Sequence, residues 1–229
     1  MFRSKSFSTP KTMESESLTR KKSYAEPWPK SIDIRCSIVI KKVSLSDASK
    51  AMQEIKDKTM NDEWLSSNFS GQLDEEQTKW NFRYKQAWGI FNFLYSDIDD
   101  YIKLVDDKKL VDDEKLVDDK KGLFFVAYFR GVPIGILQLI FTNEMTKIVF
   151  LATHCGIRGC GVLLIEYVVN ELQQLGKDRR LTLFPYKNAR PAYIAMGFTG
   201  SEREMMLDPT TSDKWLWDNK KNRYTYKFI

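Results

Sequence analysis

The sequence predicts one domain of mixed α/β fold. Three apolar segments rich in β-branched and aromatic residues follow one another between residues 122 and 153. An amphipathic helical pattern comes directly after them, and strand and helix patterns then alternate to the C-terminus. A chain of 229 residues with 42% hydrophobic and 13% aromatic residues suffices for one domain with a core. We expect this domain to span residues 32–229.

Composition narrows the classes of function. The formal net charge is +5 with both signs interleaved, which does not predict a nucleic-acid partner, because such a partner calls for a strongly basic stripe. No window approaches eighteen consecutive apolar residues, so we predict no membrane span. Three cysteines and no apolar signal segment favour a reducing, cytoplasmic location. Cys155 and Cys160 lack a second pair of ligands at zinc-binding spacing, so no metal site is predicted.

Residues 1–31 are rich in Ser, Lys and Pro and have no apolar period, which predicts a flexible leader. The leader lacks the apolar segment of a secretory signal, and Glu14 and Glu16 argue against a mitochondrial transit peptide. A Ser-rich start of this kind is also compatible with a bacterial type III secretion signal. Export into a host cell is therefore the alternative location.

The ordered part begins with a strand and two helices. The pattern from Cys36 to Val43 predicts a strand, and we expect Ser46 or Asp47 to cap a helix that runs to about Thr59. Residues 74–103 predict a longer helix, whose many aromatic side chains are expected to pack into the core.

A repeat follows this helix. The segment KLVDDKKLVDDEKLVDDKK contains three copies of a six-residue unit that begin at Lys103, Lys109 and Lys115. Six steps of ~100° rotate the Leu-Val pairs around a helix instead of stacking them on one face. Three units are also too few to stack into a β-helix. We interpret residues 103–121, approximately, as a charged surface insertion in the domain.

The second half alternates strands and helices. Residues 122–129 and 132–142 predict two strands joined by a tight Arg-Gly turn, and residues 147–153 predict the third strand of this meander. An amphipathic helix then runs to Gly176, a residue type that favours a helix end. The remaining predicted elements are a strand over 179–186, a short helix within 189–198 and a closing strand over 223–229.

The stretch THCGIRGCG, residues 153–161, joins the meander to the amphipathic helix. A strand that ends in a glycine-bearing turn and opens a helix gathers free backbone N–H groups around one point. The helix dipole adds partial positive charge there, so the stretch predicts a phosphate site. Gly159 and Gly161 permit close approach of an anion, and Arg158 can add a charge-assisted contact. The stretch is neither a Walker A loop nor the dinucleotide fingerprint, which requires a third glycine where Leu164 stands.

Two segments carry a pattern together. In FLATHCGIRGCGVLLIEYVVNEL, Arg158 and Gly161 match the pattern R/Q-x-x-G-x-G/A, and Leu163 replaces its final small residue. The segment ARPAYIAMGF fits the pattern A-x-x-x-Y-x-x-x-G-F through Ala189, Tyr193, Gly197 and Phe198. Together these segments resemble the acyl-CoA loop and the downstream segment of the GCN5-related N-acetyltransferases, the GNAT superfamily. The resemblance implies the GNAT fold, in which helices flank a central mixed, mostly antiparallel sheet and acyl-CoA is held at a splayed strand pair.

The resemblance also implies the chemistry. The chain would be an acetyl-CoA-dependent N-acetyltransferase without a metal, in which a primary amine of a small molecule or protein attacks the thioester directly. Tyr193 would protonate the departing thiolate, as a phenol of pKa ~10 can when both groups leave bulk water. The backbone of Leu151, Ala152 and Thr153 would pair with the pantetheine arm. The other implied acyl-CoA-binding positions are Arg158, Gly159, Cys160, Gly161, Val162, Leu163, Leu164 and Asn188.

Departures from the family pattern leave the general base unassigned. Many members carry an Asn where Tyr186 stands, and Asn188 lies two residues later. Lys147 replaces the Glu of histone-acetylating members, and Leu181-Thr182 stands where ribosomal-protein-type members carry a Glu. Because both Glu positions are lost, a non-catalytic acyl-CoA-binding module is the alternative function.

The resemblance places the acceptor between residues 64–80 and the closing segment, residues 210–224. Trp215 and Trp217 would either line this groove or pack in the core. Glu144 is a candidate base in the predicted meander.

The histidine and cysteines of the glycine-bearing stretch have separate roles. His154 and Cys155 are adjacent, so on extended backbone their side chains diverge, and we expect His154 to be structural. Cys155 and Cys160 lie near a predicted helix N-terminus, which predicts a lowered thiol pKa and a tendency to oxidise.

Overall fold

The computed structural model describes residues 36–60, 65, 75–108, 122–142 and 145–228. Its strands are β1 Ile38–Val43, β2 Leu123–Phe129, β3 Val132–Phe141, β4 Thr146–Thr153, β5 Leu181–Leu183, β6 Thr199–Gly200, β7 Met205–Leu207, β8 Trp215–Asp218 and β9 Arg223–Tyr226. Its helices are α1 Leu45–Glu54, α2 Glu75–Lys108, α3 Cys160–Gln174 and α4 Arg190–Ala195, and a π-helical turn over Ile55–Thr59 follows α1. The predicted leader (residues 1–31), repeat residues 109–121, Trp64 and Glu144 lie outside the described residues.

Seven strands form one sheet in the order β1-β2-β3-β4-β5-β7-β6, and β8 and β9 form a separate antiparallel pair. Every neighbouring pair in the large sheet is antiparallel except β4 and β5, which are parallel. A parallel pair requires a crossover connection, and α3 supplies it. The predicted mixed, mostly antiparallel sheet flanked by helices is confirmed.

Helices cover both faces of the central strands. Successive strand residues point to opposite faces, so neighbouring residues belong to different cores. Phe125 and Leu137 lie in a core that α3 completes, whereas Phe124 and Ile136 lie in a second core with α1 and α2. The sheet therefore separates α3 from the first two helices.

The aromatic helix α2 packs on the sheet, as the sequence predicts. Tyr84 and Phe91 are buried in the second core, and the Tyr84 hydroxyl donates to the Met60 carbonyl oxygen at 2.9 Å. Phe82 and Phe93 face outward instead, with 50% and 61% of their surface exposed. The helix extends to Lys108, so it contains the first unit of the repeat.

The start of α1 and the end of α3 can be compared with the ends that the sequence predicts. The predicted caps Ser46 and Asp47 are wrong: Ser44 is the N-cap of α1, because its hydroxyl oxygen accepts from the Asp47 N–H at 3.1 Å. The predicted end of α3 holds. Gly176 has φ +64 and its N–H donates to the Gln173 carbonyl, while the Lys177 N–H donates to the Leu172 carbonyl, which is a Schellman motif.

The strand over 179–186 is shorter than predicted, because only Leu181–Leu183 finds partners on both sides, in β4 and β7. The sequence locates one closing strand, over 223–229, which the structure has as β9, and the structure adds β6, β7 and β8 before it. Strand β2 begins after Gly122, which has φ +81 and whose Cβ, if present, would overlap the Leu139 carbonyl oxygen. Only glycine fits there.

Candidate functional site

The sheet opens between β4 and β5. The two strands pair only from Thr146 to Ile148 on β4, whereas β4 continues to Thr153 and stays paired with β3 to its end. Leu151, Ala152 and Thr153 therefore have β3 along one edge and no β5 partner along the other. This is the splayed strand pair that the resemblance implies, and it leaves backbone groups of β4 available to an extended ligand.

The turn after β4 is built around His154. This side chain is buried, with 2% of its surface exposed. The backbone N–H of His154 donates to the Ile134 carbonyl at 2.7 Å, and its backbone carbonyl accepts from the Ile157 N–H at 3.1 Å. The Nδ1 atom of its imidazole accepts from the Gly156 N–H at 3.1 Å. His154 thus fixes the backbone of the turn, and the geometry gives it a structural role.

Helix α3 begins directly after this turn. Its N-cap is Gly159, with φ +79 in the left-handed region, and the first intrahelical bond runs from the Leu163 N–H to the Gly159 carbonyl at 3.3 Å. An α-helix leaves its first N–H groups without partners inside the helix. The side chains that follow turn into the core: Cys160, Val162, Leu163 and Leu164 are buried. Arg158 is exposed immediately before the cap.

The short helix α4 reaches the start of α3. A Cβ placed on Gly161 would lie 3.5 Å from Met196 Cε and 3.9 Å from a methyl group of Leu151. Leu151, Tyr193 and Met196 also pack against one core cluster, the one that α3 completes. The structure therefore brings together three predicted parts of the site: the open end of β4, the N-terminus of α3 and the helix that carries Tyr193.

The half-buried ring of Tyr193 packs against apolar groups. Its ring lies edge-on to Phe198, with ring centroids 5.5 Å apart. Burial raises the pKa of Tyr193 from 10.0 to about 12, because the phenolate would lose its hydration. The side chain is consequently a neutral phenol throughout the physiological range, which is the form that can donate a proton.

One predicted site position, Asn188, and one departure from the family pattern, Tyr186, precede α4. Asn188 is exposed and lies in the turn that leads into the helix. Tyr186, which stands where many family members carry Asn, is 65% exposed, and its carbonyl accepts from the N–H groups of Ala189 and Arg190 at 2.8 and 3.2 Å. The backbone at Tyr186 thus sets the start of α4.

The predicted lowering of the cysteine pKa values is wrong. Burial raises the pKa of Cys155 to about 11 and that of Cys160 to about 12. The sequence places both thiols near a helix N-terminus, but the loss of hydration in the folded chain outweighs the helix dipole. These thiols are not activated.

The indole of Trp215 belongs to the core and does not line a groove. It is 4% exposed, and its Nε1–H donates to the Met196 carbonyl at 2.8 Å. Trp217 packs edge-on against Tyr224, with ring centroids 4.9 Å apart.

Sequence reasoning missed one neighbour of the turn. A Cβ on Gly156 would lie 3.3 Å from Trp80, so helix α2 contacts the turn before α3. An aromatic residue within a long helical pattern carries no sequence signal for that contact. Near it, Glu75 binds Lys79 with 2.6 Å between the carboxylate oxygen and Nζ.

The described residues contain no group of three or more His, Cys, Asp or Glu side chains arranged to hold a metal ion. None of their helices is long and apolar enough to cross a membrane.

Solved structures similar to this chain include N-acetyltransferases. The PaiA N-acetyltransferase from Thermoplasma acidophilum, in complex with coenzyme A, is 16% identical, with a TM-score of 0.41 over 74% of this chain and 97% of that chain. A protein from Desulfovibrio desulfuricans assigned to the GNAT acetyltransferase family is 12% identical, with a TM-score of 0.46 and coverage of 75% and 98%. An N-acetyltransferase from Staphylococcus aureus Mu50 is 14% identical, with a TM-score of 0.41 and coverage of 75% and 97%. No protein-family model and no curated protein matches the sequence.

Proposed function

We propose that this chain is a member of the GNAT superfamily and an acetyl-CoA-dependent N-acetyltransferase, with residues 32–229 as its catalytic domain. One observation carries the proposal: β4 has no β5 partner after Ile148, and this open part of the strand runs to Thr153, where a turn leads into the N-terminus of α3. An extended arm and a pyrophosphate need these two features side by side, because one pairs with strand backbone and the other with helix N–H groups.

Two parts of acetyl-CoA have a match in this arrangement. The backbone of Leu151, Ala152 and Thr153 is open along one edge and suits the amide-bearing pantetheine arm. The first turn of α3 suits the pyrophosphate, since its side chains are buried and the left-handed Gly159 leaves the approach to the backbone clear. The exposed guanidinium of Arg158 supplies a positive charge beside it, and the exposed Asn188 lies in the turn before α4.

Tyr193 is the proposed general acid. The acceptor's neutral amine attacks the thioester carbonyl and forms the new C–N bond, the C–S bond breaks, and the thiolate takes the phenolic proton. The amine's surplus proton leaves to water or to a base, and Tyr193 regains a proton from solvent. The raised pKa keeps the phenol of Tyr193 protonated at neutral pH, so the proton is present for this step. The acceptor is a primary amine on a small molecule or a protein.

The first experiment is thermal stabilisation by ligand. Acetyl-CoA and free CoA at ~100 times their Kd should stabilise the fold by ~2.7 kcal/mol. That is a rise of roughly 5–10 °C in the midpoint for a domain of this size. ATP is the control, because it carries phosphates without a pantetheine arm. An unchanged midpoint with both CoA species would refute the proposal.

The second experiment measures turnover. Acetyl-CoA is incubated with a panel of primary amines: spermidine, an aminoglycoside, a lysine-bearing peptide and a peptide with a free N-terminus. Released CoA is separated by chromatography, because the exposed Cys36 thiol would react with a thiol dye. Acetylation of one class identifies the acceptor. Binding of acetyl-CoA without turnover of any amine would instead establish the non-catalytic module.

A further inference from the structure

The β8–β9 hairpin lies outside the seven-stranded sheet and contacts two helices of the proposed site. Its two strands pair from Trp215 with Tyr226 to Asp218 with Arg223. The hairpin touches α3, which begins at the proposed anion-binding turn, and α4, which carries Tyr193. It therefore connects the two parts of the site whose relative position the chemistry requires.

Two side chains of α3 bind the outer edge of β9. Glu166 is 7% exposed, and its Oε2 accepts from the Tyr226 N–H at 2.8 Å. Asn170, one helical turn later, accepts from the Tyr224 N–H at 2.7 Å and donates to the Tyr224 carbonyl at 2.9 Å. Residues 224 and 226 share one edge of the strand, so the helix side chains replace a missing partner strand. This attachment joins the hairpin to α3.

Two side chains of the hairpin bind the end of α4. The Tyr226 hydroxyl donates to the Ala195 carbonyl at 2.7 Å, and the Trp215 Nε1–H donates to the Met196 carbonyl at 2.8 Å. Both carbonyls lie at the C-terminal end of a helix, where no N–H of the helix itself is available to bond them. The two rings also pack edge-to-face, with centroids 5.7 Å apart. Gly197 follows with φ +94, and a Cβ there would overlap the Ser212 hydroxyl.

Helix α4 needs this support. It has six residues, and none of them is buried. An isolated helix of that length is not stable in water, so contacts from outside must hold it. Tyr193 lies two residues before Ala195, whose carbonyl the Tyr226 hydroxyl binds. A displacement of ~1 Å in a catalytic group can cost about a hundredfold in rate.

We propose that the hairpin is a brace that sets the position of Tyr193 relative to the acyl-CoA-binding turn, with Tyr226 as its principal positioning residue. The inference rests on the proposed function. Tyr226 does not touch the reacting atoms. It acts through the end of α4. Glu166 holds Tyr226 against α3, and Asn170 holds Tyr224 of the same strand there.

The kinetic test is a double-mutant cycle. Tyr226→Phe deletes one hydroxyl and keeps the ring, so it should lower kcat about fivefold, the size expected for one lost hydrogen bond, with the KM for acetyl-CoA within about twofold. In a Tyr193→Phe background the same change should have little further effect, because the group it positions is gone. Tyr128→Phe, on β2 away from α4, is the matched control and should leave kcat unchanged. If the two substitutions lower kcat independently, so that the loss in the double variant is the product of the two single losses, the inference is overturned.

A second measurement does not need turnover. In Tyr226→Phe, amide hydrogen exchange over residues 190–198 should accelerate about fivefold, while exchange over residues 160–174 stays at the wild-type rate. Equal rates in residues 190–198 would overturn the brace. Failure to bind acetyl-CoA would contradict the proposed function alone, because the exchange result still reports whether the hairpin holds α4.

Discussion

Replacing Gly159 by alanine tests whether the backbone at the start of α3 forms the acyl-CoA site. Gly159 is the N-cap of that helix and has φ +79. An alanine in the left-handed region costs roughly 1–2 kcal/mol, because its Cβ approaches the backbone. Gly→Ala also restricts the unfolded chain, which returns about 0.4–1 kcal/mol of stability. The net loss of unfolding free energy should therefore be about 1 kcal/mol.

The same helix supplies a matched control. Gly176, just beyond the C-terminal end of α3, also has a positive φ of +64, and a Cβ there would meet no atom within 4 Å. Gly176→Ala should lose about 1 kcal/mol of stability for the same reason. Each variant should then melt about 2–4 °C below wild type. Only Gly159→Ala should lose acetyl-CoA affinity, by about tenfold in Kd, or ~1.4 kcal/mol.

Thermal melts give the stability change, and isothermal titration with acetyl-CoA gives Kd for both variants. Wild-type affinity in Gly159→Ala, together with the expected loss of stability, would show that the anion-binding turn is assigned incorrectly. Equal losses of affinity in both variants would show that affinity follows helix stability, which also contradicts a local role for Gly159.

Four further outcomes follow from the structure. Tyr193→Phe should lower kcat at least a hundredfold with acetyl-CoA Kd unchanged, and the wild-type kcat should show no alkaline fall from Tyr193 below about pH 11. The raised pKa of Tyr193 contributes stability that is fully present below pH 10 and lost as pH rises toward 12, which alkaline unfolding of wild type against Tyr193→Phe would reveal. Arg158→Ala should weaken acetyl-CoA binding about tenfold, and the difference from wild type should shrink at high salt, as titrations at two ionic strengths would show. Iodoacetamide at pH 8 should modify the exposed Cys36 quickly and the buried Cys155 and Cys160 slowly, as peptide mass spectrometry would show; equal rates would contradict the raised thiol pKa values.

The sequence predicts most elements of the described residues because their signals are local. The β2–β3 hairpin follows from strand propensity around a tight turn, and the end of α3 follows from Gly176. The cap of α1 was misplaced by two residues or more because Ser44, Ser46 and Asp47 all have suitable side chains. Only the backbone conformation decides which of them accepts the bond.

Features that depend on distant contacts were not predictable. The raised pKa values of Cys155 and Cys160 arise from burial, which a local helix-dipole argument does not include. The location of Trp215 in the core depends on the end of α4, nineteen residues earlier in the chain. Strand β5 is short because β4 diverges from it after Ile148.

Gly122 has a consequence for the side-chain pattern of β2. Its backbone is left-handed, and a Cβ there would overlap the Leu139 carbonyl oxygen, so glycine stands directly before the first strand residue, Leu123. Side chains alternate along the strand from that residue, which turns Phe124 toward the core with α1 and α2 and Phe125 toward the core with α3. A larger residue at position 122 would have to move the start of the strand, and a shift of one residue would exchange the faces of Phe124 and Phe125. Gly122 thus protects the assignment of side chains to the two cores.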